Sequence, residues 1–161
     1  MLLLKSAVFA LVVPGTVAGV VPYWILRATG RARWPEMGVL AFLGLTMFLL
    51  GAATALSSVW RFAVHGKGTP APIDPPKFLV SGGTYRFTRN PMYVGVVSMV
   101  LGEAAVFASG WLLTYGLLLF CLFHSFVVLY EEPTLRRQFG SSYEDFCKRV
   151  PRWLWPRARH E

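Results

Sequence analysis

The apolar residues of this chain gather into four long runs, and these runs predict its helices. They cover residues 7–26, 37–59, 92–108 and 111–130. A helix rises about 1.5 Å per residue, so each run approaches the roughly 30 Å hydrocarbon thickness of a bilayer, and the third run is the shortest. The pattern predicts an all-α integral membrane protein with four transmembrane helices. The last two helices would form a C-terminal helical hairpin, followed by a cytoplasmic tail.

The polar segments divide the 161 residues into parts of a single membrane domain. Residues 1–60 are predicted to be a scaffold of two helices, 61–90 a cytoplasmic loop, and 91–161 a catalytic hairpin and tail. Four prolines between positions 70 and 76 exclude a regular helix from the middle of the loop. The loop is compatible with a plain connector or with a lid over a site.

The net charge of +8 raises the question of nucleic acid binding, but the distribution of the charge gives another explanation. If the amino terminus is cytoplasmic, thirteen lysines and arginines lie on the cytoplasmic side and three, Arg27, Arg31 and Arg33, on the other. This asymmetry follows the positive-inside rule and suits contact with anionic headgroups. We therefore expect membrane lipids as partners, no nucleic acid, and both termini in the cytoplasm.

The first apolar run allows two interpretations. Lys5 followed by an apolar stretch and small residues fits a signal peptide. Three further spans follow, however, and the run stays apolar to Leu26, which favours a retained helix. Pro14 and Pro22 would kink that helix, because proline cannot donate the helical hydrogen bond.

Small residues from Gly15 to Gly19 would let the first helix approach a neighbour closely. We expect this contact within a monomer, with a homodimer as the alternative. The two cysteines, Cys121 and Cys147, fall at different depths in the predicted topology. Neither a disulfide nor a metal site is therefore expected.

The third helix is predicted to begin at Asn90 and Pro91. Asparagine can cap the free amides of a helix, and proline at the first position loses no hydrogen bond. Gly95, Ser98 and Gly102 then share one face, which would contact the fourth helix, because only a tight turn separates the two.

The open ends of that hairpin bring polar residues together at one level of the membrane. Arg89, Asn90 and Tyr93 would meet His124, Glu131 and Glu132. Ionisable groups at membrane depth are costly and usually face a cavity or each other, so this cluster is the candidate site. Adjacent positions on a helix face different directions, so one carboxylate could bind a ligand while the other pairs with an arginine.

Structural explanations also exist for each member of the cluster. Arg89 could extend to lipid headgroups, and Tyr93 could belong to an aromatic belt at the interface. The two glutamates could form surface ion pairs with Arg136 or Arg137. His124 and the isolated Glu103 are more often hydrogen-bonded residues of a helix bundle than ligands.

Several spaced motifs resemble the isoprenylcysteine carboxyl methyltransferase family, and the related phospholipid N-methyltransferases have a similar end. The motifs are Gly-Thr-Tyr-Arg-Phe-Thr-Arg-Asn-Pro-Met-Tyr-Val-Gly at 83–95, Glu-Glu-Pro-Thr-Leu at 131–135, Phe-Gly-Ser-Ser-Tyr at 139–143 and Arg-Val-Pro at 149–151. The resemblance covers about residues 78–156. Two departures stand out: Asn90 replaces the histidine of the family's Arg-His-Pro motif, and Phe146 replaces a second tyrosine.

The resemblance implies an integral membrane enzyme that uses S-adenosylmethionine on the cytoplasmic side. It places Arg89, Glu132 and Arg149 at the reacting group. It assigns the cofactor pocket, which Tyr143 would close, to Asn90, Pro91, Tyr93, Gly95, His124, Glu131, Glu132 and Tyr143.

The acceptor implied by the resemblance is a lipophilic small molecule or a lipid-anchored group in a bacterial inner membrane. A carboxylate acceptor would need only arginines to orient it, whereas an amine would need a base such as Glu132 or His124. Two other functions are compatible with the sequence, namely a membrane reductase with a nicotinamide cofactor and a non-catalytic membrane scaffold.

Overall fold

The computed structural model describes residues 12–32, 35, 37–62, 64 and 78–154, and these ranges contain helices and turns but no strand. The prediction of an all-α fold is confirmed. The helices are α1, Val12–Ala28; α2, Val39–Arg61; α3, Pro91–Val106; α4, Gly110–Phe126; α5, Glu132–Phe139; and α6, Ser141–Arg149. A 3-10 turn covers Gly83–Arg86, and a π-turn at Val127–Glu131 joins α4 to α5 without a break.

Two of these helices are long and apolar enough to cross a membrane, Val39–Arg61 and the continuous helix Gly110–Phe139. Large apolar side chains such as Phe42, Leu43 and Leu50 point outward from α2, which suits contact with lipid. The helices Val12–Ala28 and Pro91–Val106 are apolar but shorter. The count of four spans therefore stays a prediction.

The first helix is kinked, as its prolines predict. A π-turn at Thr16–Val20 contains a non-helical residue, Ala18, four positions before Pro22, whose missing N–H leaves that carbonyl without its helical donor. The hydroxyl of Tyr115 on α4 donates to the neighbouring carbonyl of Val17 at 2.9 Å. Residues 1–11, on which the signal-peptide interpretation depends, lie outside the described residues.

The glycines of α1 do not make the close contact that the sequence suggested. A Cβ atom added at Gly15 or Gly19 would meet no atom within 4 Å in the described part of the chain. Among the described residues, the two glycines therefore do not make the close contact expected of them within the monomer. The kink lets Ala18 face the core instead, where it is buried.

The closest helix contact joins α2 to α3. A Cβ atom added at Gly51 would lie 2.6 Å from the carbonyl oxygen of Gly95, and one added at Gly44 would lie 2.6 Å from that of Gly102. The prediction that the small-residue face of α3 contacts the fourth helix is wrong, because two of its members, Gly95 and Gly102, pack against α2. The larger side chains Val100 and Leu101 of α3 meet α4 at Gly116.

A tight turn closes the hairpin of α3 and α4, as the sequence predicts. Ala108 takes a left-handed conformation with φ of 44°, and the amide of Ser109 bonds back to the carbonyl of Ala104. The Ser109 hydroxyl then accepts from the Leu112 amide at the start of α4. Arg31 donates to the Ala108 carbonyl, which ties the loop after α1 to this end of the bundle.

At the opposite end of the bundle, α6 packs on the segment that precedes α3. Val80, Tyr85, Tyr143, Phe146 and Val150 form a separate buried cluster there. This cluster covers the open end of the α3–α4 hairpin, where the candidate site lies. The proline-rich part of the 61–90 loop, and with it most of the proposed lid, falls outside the described residues.

Candidate functional site

A π-turn at the end of α4 gives two adjacent carboxylates different surroundings. Because a π-turn inserts an extra residue into a helical turn, it changes the direction of the side chains that follow. Glu131, the last residue of the turn, accepts a hydrogen bond from the hydroxyl of Tyr93 on α3. Glu132, the first residue of α5, points to arginines instead. The prediction that the two carboxylates face different partners is confirmed.

Glu132 is held by two guanidinium groups. Its Oε1 atom lies 3.1 Å from Nη1 of Arg89 and 2.6 Å from Nε of Arg152, and its Oε2 accepts from Nη2 of Arg152 at 3.0 Å. The Glu132 residue is 6% exposed and the Arg89 side chain 8%, so these charges are shielded from water. A buried carboxylate is tolerated when its oxygens are paired in this way. The hydrogen bond to Glu132 raises the pKa of Arg152 above its usual value.

The remaining contacts of Arg89 leave one buried donor without a partner among the described residues. Its Nη1 atom also donates to Sγ of Cys147 at 2.8 Å and more weakly to the Tyr143 hydroxyl at 3.4 Å. Its Nε atom is buried and has no hydrogen-bond partner among the described residues. An unpaired buried donor of a charged group is costly, so this atom is the natural contact for an anionic ligand group.

The turn before α3 is hydrogen-bonded to the segment that follows α6. The Arg89 amide donates to the Pro151 carbonyl at 2.9 Å, while Thr88 Oγ1 and Asn90 Nδ2 both donate to the Arg152 carbonyl, at 2.9 and 3.0 Å. Asn90 therefore does not cap α3 with its side chain, and that expectation is wrong. The Asn90 side chain is oriented instead by the bond from its Nδ2 to the Arg152 carbonyl, 62 residues further along.

These groups line a cavity at the open end of the hairpin. Its polar wall consists of Arg89, Asn90, Tyr93, Glu131, Glu132 and Tyr143. Aromatic and aliphatic side chains, among them Phe62, Tyr85 and Phe139, complete it. Burial raises the pKa of Tyr85 and of Tyr143, so both phenols stay protonated at neutral pH.

The cavity is narrow. Its volume is about 80 Å³. Pockets for small molecules are typically about 300–1,000 Å³. A nucleoside-sized ligand therefore requires movement of the cover, which consists of Phe139 at the end of α5 and the α6 side chains Tyr143 and Phe146.

An apolar groove reaches the same site from the side of the bundle. The groove has a volume of about 300 Å³ and runs between α1, α3 and α4, with Val17, Val96, Leu122 and Phe126 in its walls. Met92, Tyr93 and Glu131 line both the groove and the cavity. The hydrogen-bonded pair of Tyr93 and Glu131 thus stands at the boundary between a polar and an apolar compartment.

The structure brings together only some of the predicted site residues. Arg89, Asn90, Tyr93, Glu131, Glu132 and Tyr143 all line the cavity. Pro91 and Gly95 do not line it; Pro91 is buried at the start of α3 and Gly95 lies against α2. His124 also lies outside the cavity and accepts a hydrogen bond from Nε1 of Trp153 at 3.1 Å.

Arg149 is not part of the cluster. It is exposed on α6 and its Nε donates to the carbonyl of Asp145 in its own helix. The second arginine on Glu132 is Arg152, three residues later. Helix α6 ends at Arg149 and Val150 is extended, so the chain turns and Arg152 points back at the site.

Sequence reasoning also missed Tyr85 and Trp153. Tyr85 sits between basic and aromatic residues typical of a membrane interface, yet it is buried in the cavity wall. One feature of the sequence could have identified Arg152 and Trp153: a basic and an aromatic residue directly follow Pro151, where the helical part of the tail ends.

Comparison with known proteins assigns most of the chain to a family. Residues 39–142 match the family described as phospholipid methyltransferase. The chain is also similar to the nickel-cobalt-cadmium resistance protein NccN of Alcaligenes xylosoxydans xylosoxydans, with 29% identity over 127 residues, which cover 79% of this chain and 56% of NccN. The chain thus spans about half the length of this curated relative. No solved structure matches the chain significantly.

Proposed function

The chain belongs to the phospholipid methyltransferase family, and we propose that it transfers a methyl group from S-adenosylmethionine to a lipophilic, membrane-embedded acceptor at the cytoplasmic face. One observation carries this proposal. A polar cavity and an apolar groove meet at Tyr93 and Glu131, so a polar donor and a lipid-like acceptor could approach one point from two sides.

The donor set of the cavity fits S-adenosylmethionine. The amino-acid part of that molecule carries an ammonium and a carboxylate group, which suit the carboxylate of Glu131 and the unpaired Nε of Arg89. The rings of Tyr85, Tyr93 and Phe139 provide aromatic faces for a sulfonium cation or an adenine ring. The size of the cavity requires that α6 and Phe139 move outward before the molecule can enter.

The groove fits a hydrocarbon chain. Its walls are almost entirely aliphatic and aromatic, and it opens on the side of the bundle that faces lipid in the proposed topology. Since acyl chains enter and leave a protein most easily from the bilayer, a lateral opening suits a membrane lipid as acceptor. The family description, which names phospholipids, agrees with this choice.

Bound S-adenosylmethionine would supply an electrophilic methyl group on a sulfonium centre. The residues of the chain have to align the acceptor and exclude water, because methyl transfer is an in-line displacement. A carboxylate or phosphate near Arg89 would be oriented by its guanidinium. An amine acceptor must also lose a proton, and Glu132 is poorly placed to take it, because its two oxygens are occupied by arginines.

We propose a bacterial inner membrane as the location and its cytoplasmic face as the position of the site. The site lies at the same end of the bundle as the basic residues of α5 and α6, and the positive-inside rule favours the cytoplasmic side for that end. We propose four spans, a monomer and no resident metal ion.

Calorimetric titration of the detergent-purified protein with S-adenosylmethionine and with S-adenosylhomocysteine tests the donor. We expect saturable binding of both that is lost in Arg89→Gln. The matched control is Arg86→Gln, because Arg86 is exposed and in the turn before Arg89 but does not line the cavity.

Transfer of a labelled methyl group into extracted bacterial phospholipids then tests the acceptor. Binding of a nicotinamide cofactor in place of both titrants would support the reductase. Folded protein that binds none of these ligands would contradict the enzyme and leave the scaffold.

A further inference from the structure

The segment Val150–Leu154 follows α6, and we call it the strap because it makes contact with three parts of the protein next to the site. Its carbonyl groups at Pro151 and Arg152 accept three hydrogen bonds from the turn before α3. The Arg152 side chain reaches Glu132 at the start of α5. The next side chain, Trp153, donates to His124 on α4.

The surroundings of Trp153 fix the position of the strap. Its ring packs on Phe120, with 5.0 Å between the ring centroids, and its Nε1–H donates to Nδ1 of His124. His124, which the sequence suggested as a cofactor ligand, is thus used to anchor the strap. Pro151 and Trp153, on either side of Arg152, are both held by hydrogen bonds. The Arg152 side chain therefore loses little further conformational freedom when its guanidinium binds Glu132.

We propose that Arg152 is a positioning residue of the site. By holding both oxygens of Glu132, it keeps that carboxylate against Arg89 and thereby fixes the Arg89 guanidinium at the cavity wall with its Nε–H unpaired. This inference rests on the proposed function, since it assumes that Arg89 receives an anionic group of the ligand. In this arrangement Glu132 aligns Arg89, and the ligand is contacted by Glu131 and Arg89.

The geometry distinguishes Arg152 from the other basic residues of the tail. Two of its nitrogen atoms bind the two oxygens of one carboxylate, an arrangement that lysine cannot reproduce fully. Arg149, three residues earlier, is exposed and bonds only to a carbonyl of its own helix among the contacts of the described residues. It has the same charge and nearly the same place in the sequence, and it is therefore the matched control.

The test compares five variants of the full chain: Arg152→Gln, Arg152→Lys, Arg149→Gln, Glu132→Gln and the double variant Glu132→Gln with Arg152→Gln. The probe is S-adenosylhomocysteine, and its affinity is measured by calorimetry in detergent. We expect Arg152→Gln to weaken binding about tenfold, the size of a lost hydrogen bond to a charged group. Arg152→Lys should recover part of the loss, and Arg149→Gln should bind like the native chain.

The double variant separates positioning from simple support of the fold. If Arg152 acts through Glu132, its removal should cause no additional loss of affinity in the Glu132→Gln protein, because the two effects are then coupled. An equal loss in both backgrounds, native affinity of Arg152→Gln, or an equal loss in Arg149→Gln would each overturn the inference.

Thermal unfolding of the same ligand-free proteins distinguishes this inference from the proposed function. If the native protein binds no S-adenosylhomocysteine, the proposed function fails. Coupling between Arg152 and Glu132 in the unfolding midpoints would then still support the pairing on which the inference depends. Additive midpoints would overturn the inference as well.

Discussion

Two contacts of α3 are built in different ways. In the middle of the bundle, its glycines meet those of α2, and the backbones approach so closely that a Cβ atom at Gly51 would lie 2.6 Å from the Gly95 carbonyl. At its first turn, α3 meets the strap through directed hydrogen bonds and through the ion pairs of Glu132. In lipid, helices gain little from burying apolar surface against each other, so shape decides the first contact. The second depends on charge and on the directions of its hydrogen bonds.

Of the variants that test these two contacts, Glu132→Gln is expected to have the largest effect on stability and on ligand affinity. The change leaves the buried guanidinium of Arg89 without its counter-ion, which costs roughly 3 kcal/mol, the lower end for a broken buried pair, because the Arg152 side chain is 33% exposed. We expect a lower unfolding temperature together with a lower affinity for S-adenosylhomocysteine. Asp145→Asn, which removes an exposed pair with Lys148, is the control and should change neither property.

A smaller loss of stability is expected from Gly51→Ala, without loss of affinity. The added methyl group would collide with the backbone of α3, and overpacking of this kind costs about 2 kcal/mol. Thermal unfolding and ligand titration of one preparation check both parts. Gly19→Ala, which has open space around the added atom, should unfold like the native protein. A reduced affinity in folded Gly51→Ala would show that the two contacts are not independent.

Tyr93→Phe tests the boundary between the two compartments. The variant keeps the ring next to Phe123 but removes the donor to Glu131, which should destabilise the protein by about 1 kcal/mol. We expect slower methyl transfer with donor affinity within a few-fold of native. Tyr130→Phe, on the exposed side of the same π-turn, is the matched control. Native transfer rates in Tyr93→Phe would remove this residue from the site.

The smallest effect is expected from Trp153→Phe. Phenylalanine retains contact with Phe120 but cannot donate to His124, a loss of about 1 kcal/mol or less. The strap should loosen, which protease digestion of the tail in the folded protein would detect. Trp111→Phe, at an exposed position of α4, should leave digestion unchanged. An unchanged rate in Trp153→Phe would mean that the ion pair and the backbone contacts of the strap hold it without this hydrogen bond.

The sequence was sufficient to predict features that depend on local pattern. Runs of apolar residues predicted the helices, the short connection at Ser109 predicted the hairpin, and the adjacency of Glu131 and Glu132 predicted that they would face different partners. Each of these follows from helix geometry or from the number of residues available.

The choice of partner could not be predicted in the same way. Glycines occur on both α2 and α3, and spacing along one helix does not say which neighbour it meets. Arg149 and Arg152 differ by three positions and have the same charge. Only the extended conformation of Val150, where α6 ends, turns the later arginine toward Glu132. Asn90 has the right chemistry for a cap, but a bond to a carbonyl of the strap orients its side chain instead.

The π-turn at Val127–Glu131 has a consequence for how this chain can evolve. A π-turn absorbs one extra residue within a single turn, so the loss of one codon here would restore a regular helix and leave Glu132, α5 and the strap facing nearly the same way. The loss of one codon in the regular part of α4 has no such turn to absorb it, and it would rotate everything beyond it by about 100°. Point substitutions change one contact at a time, whereas that second kind of deletion would turn the whole site away from α3.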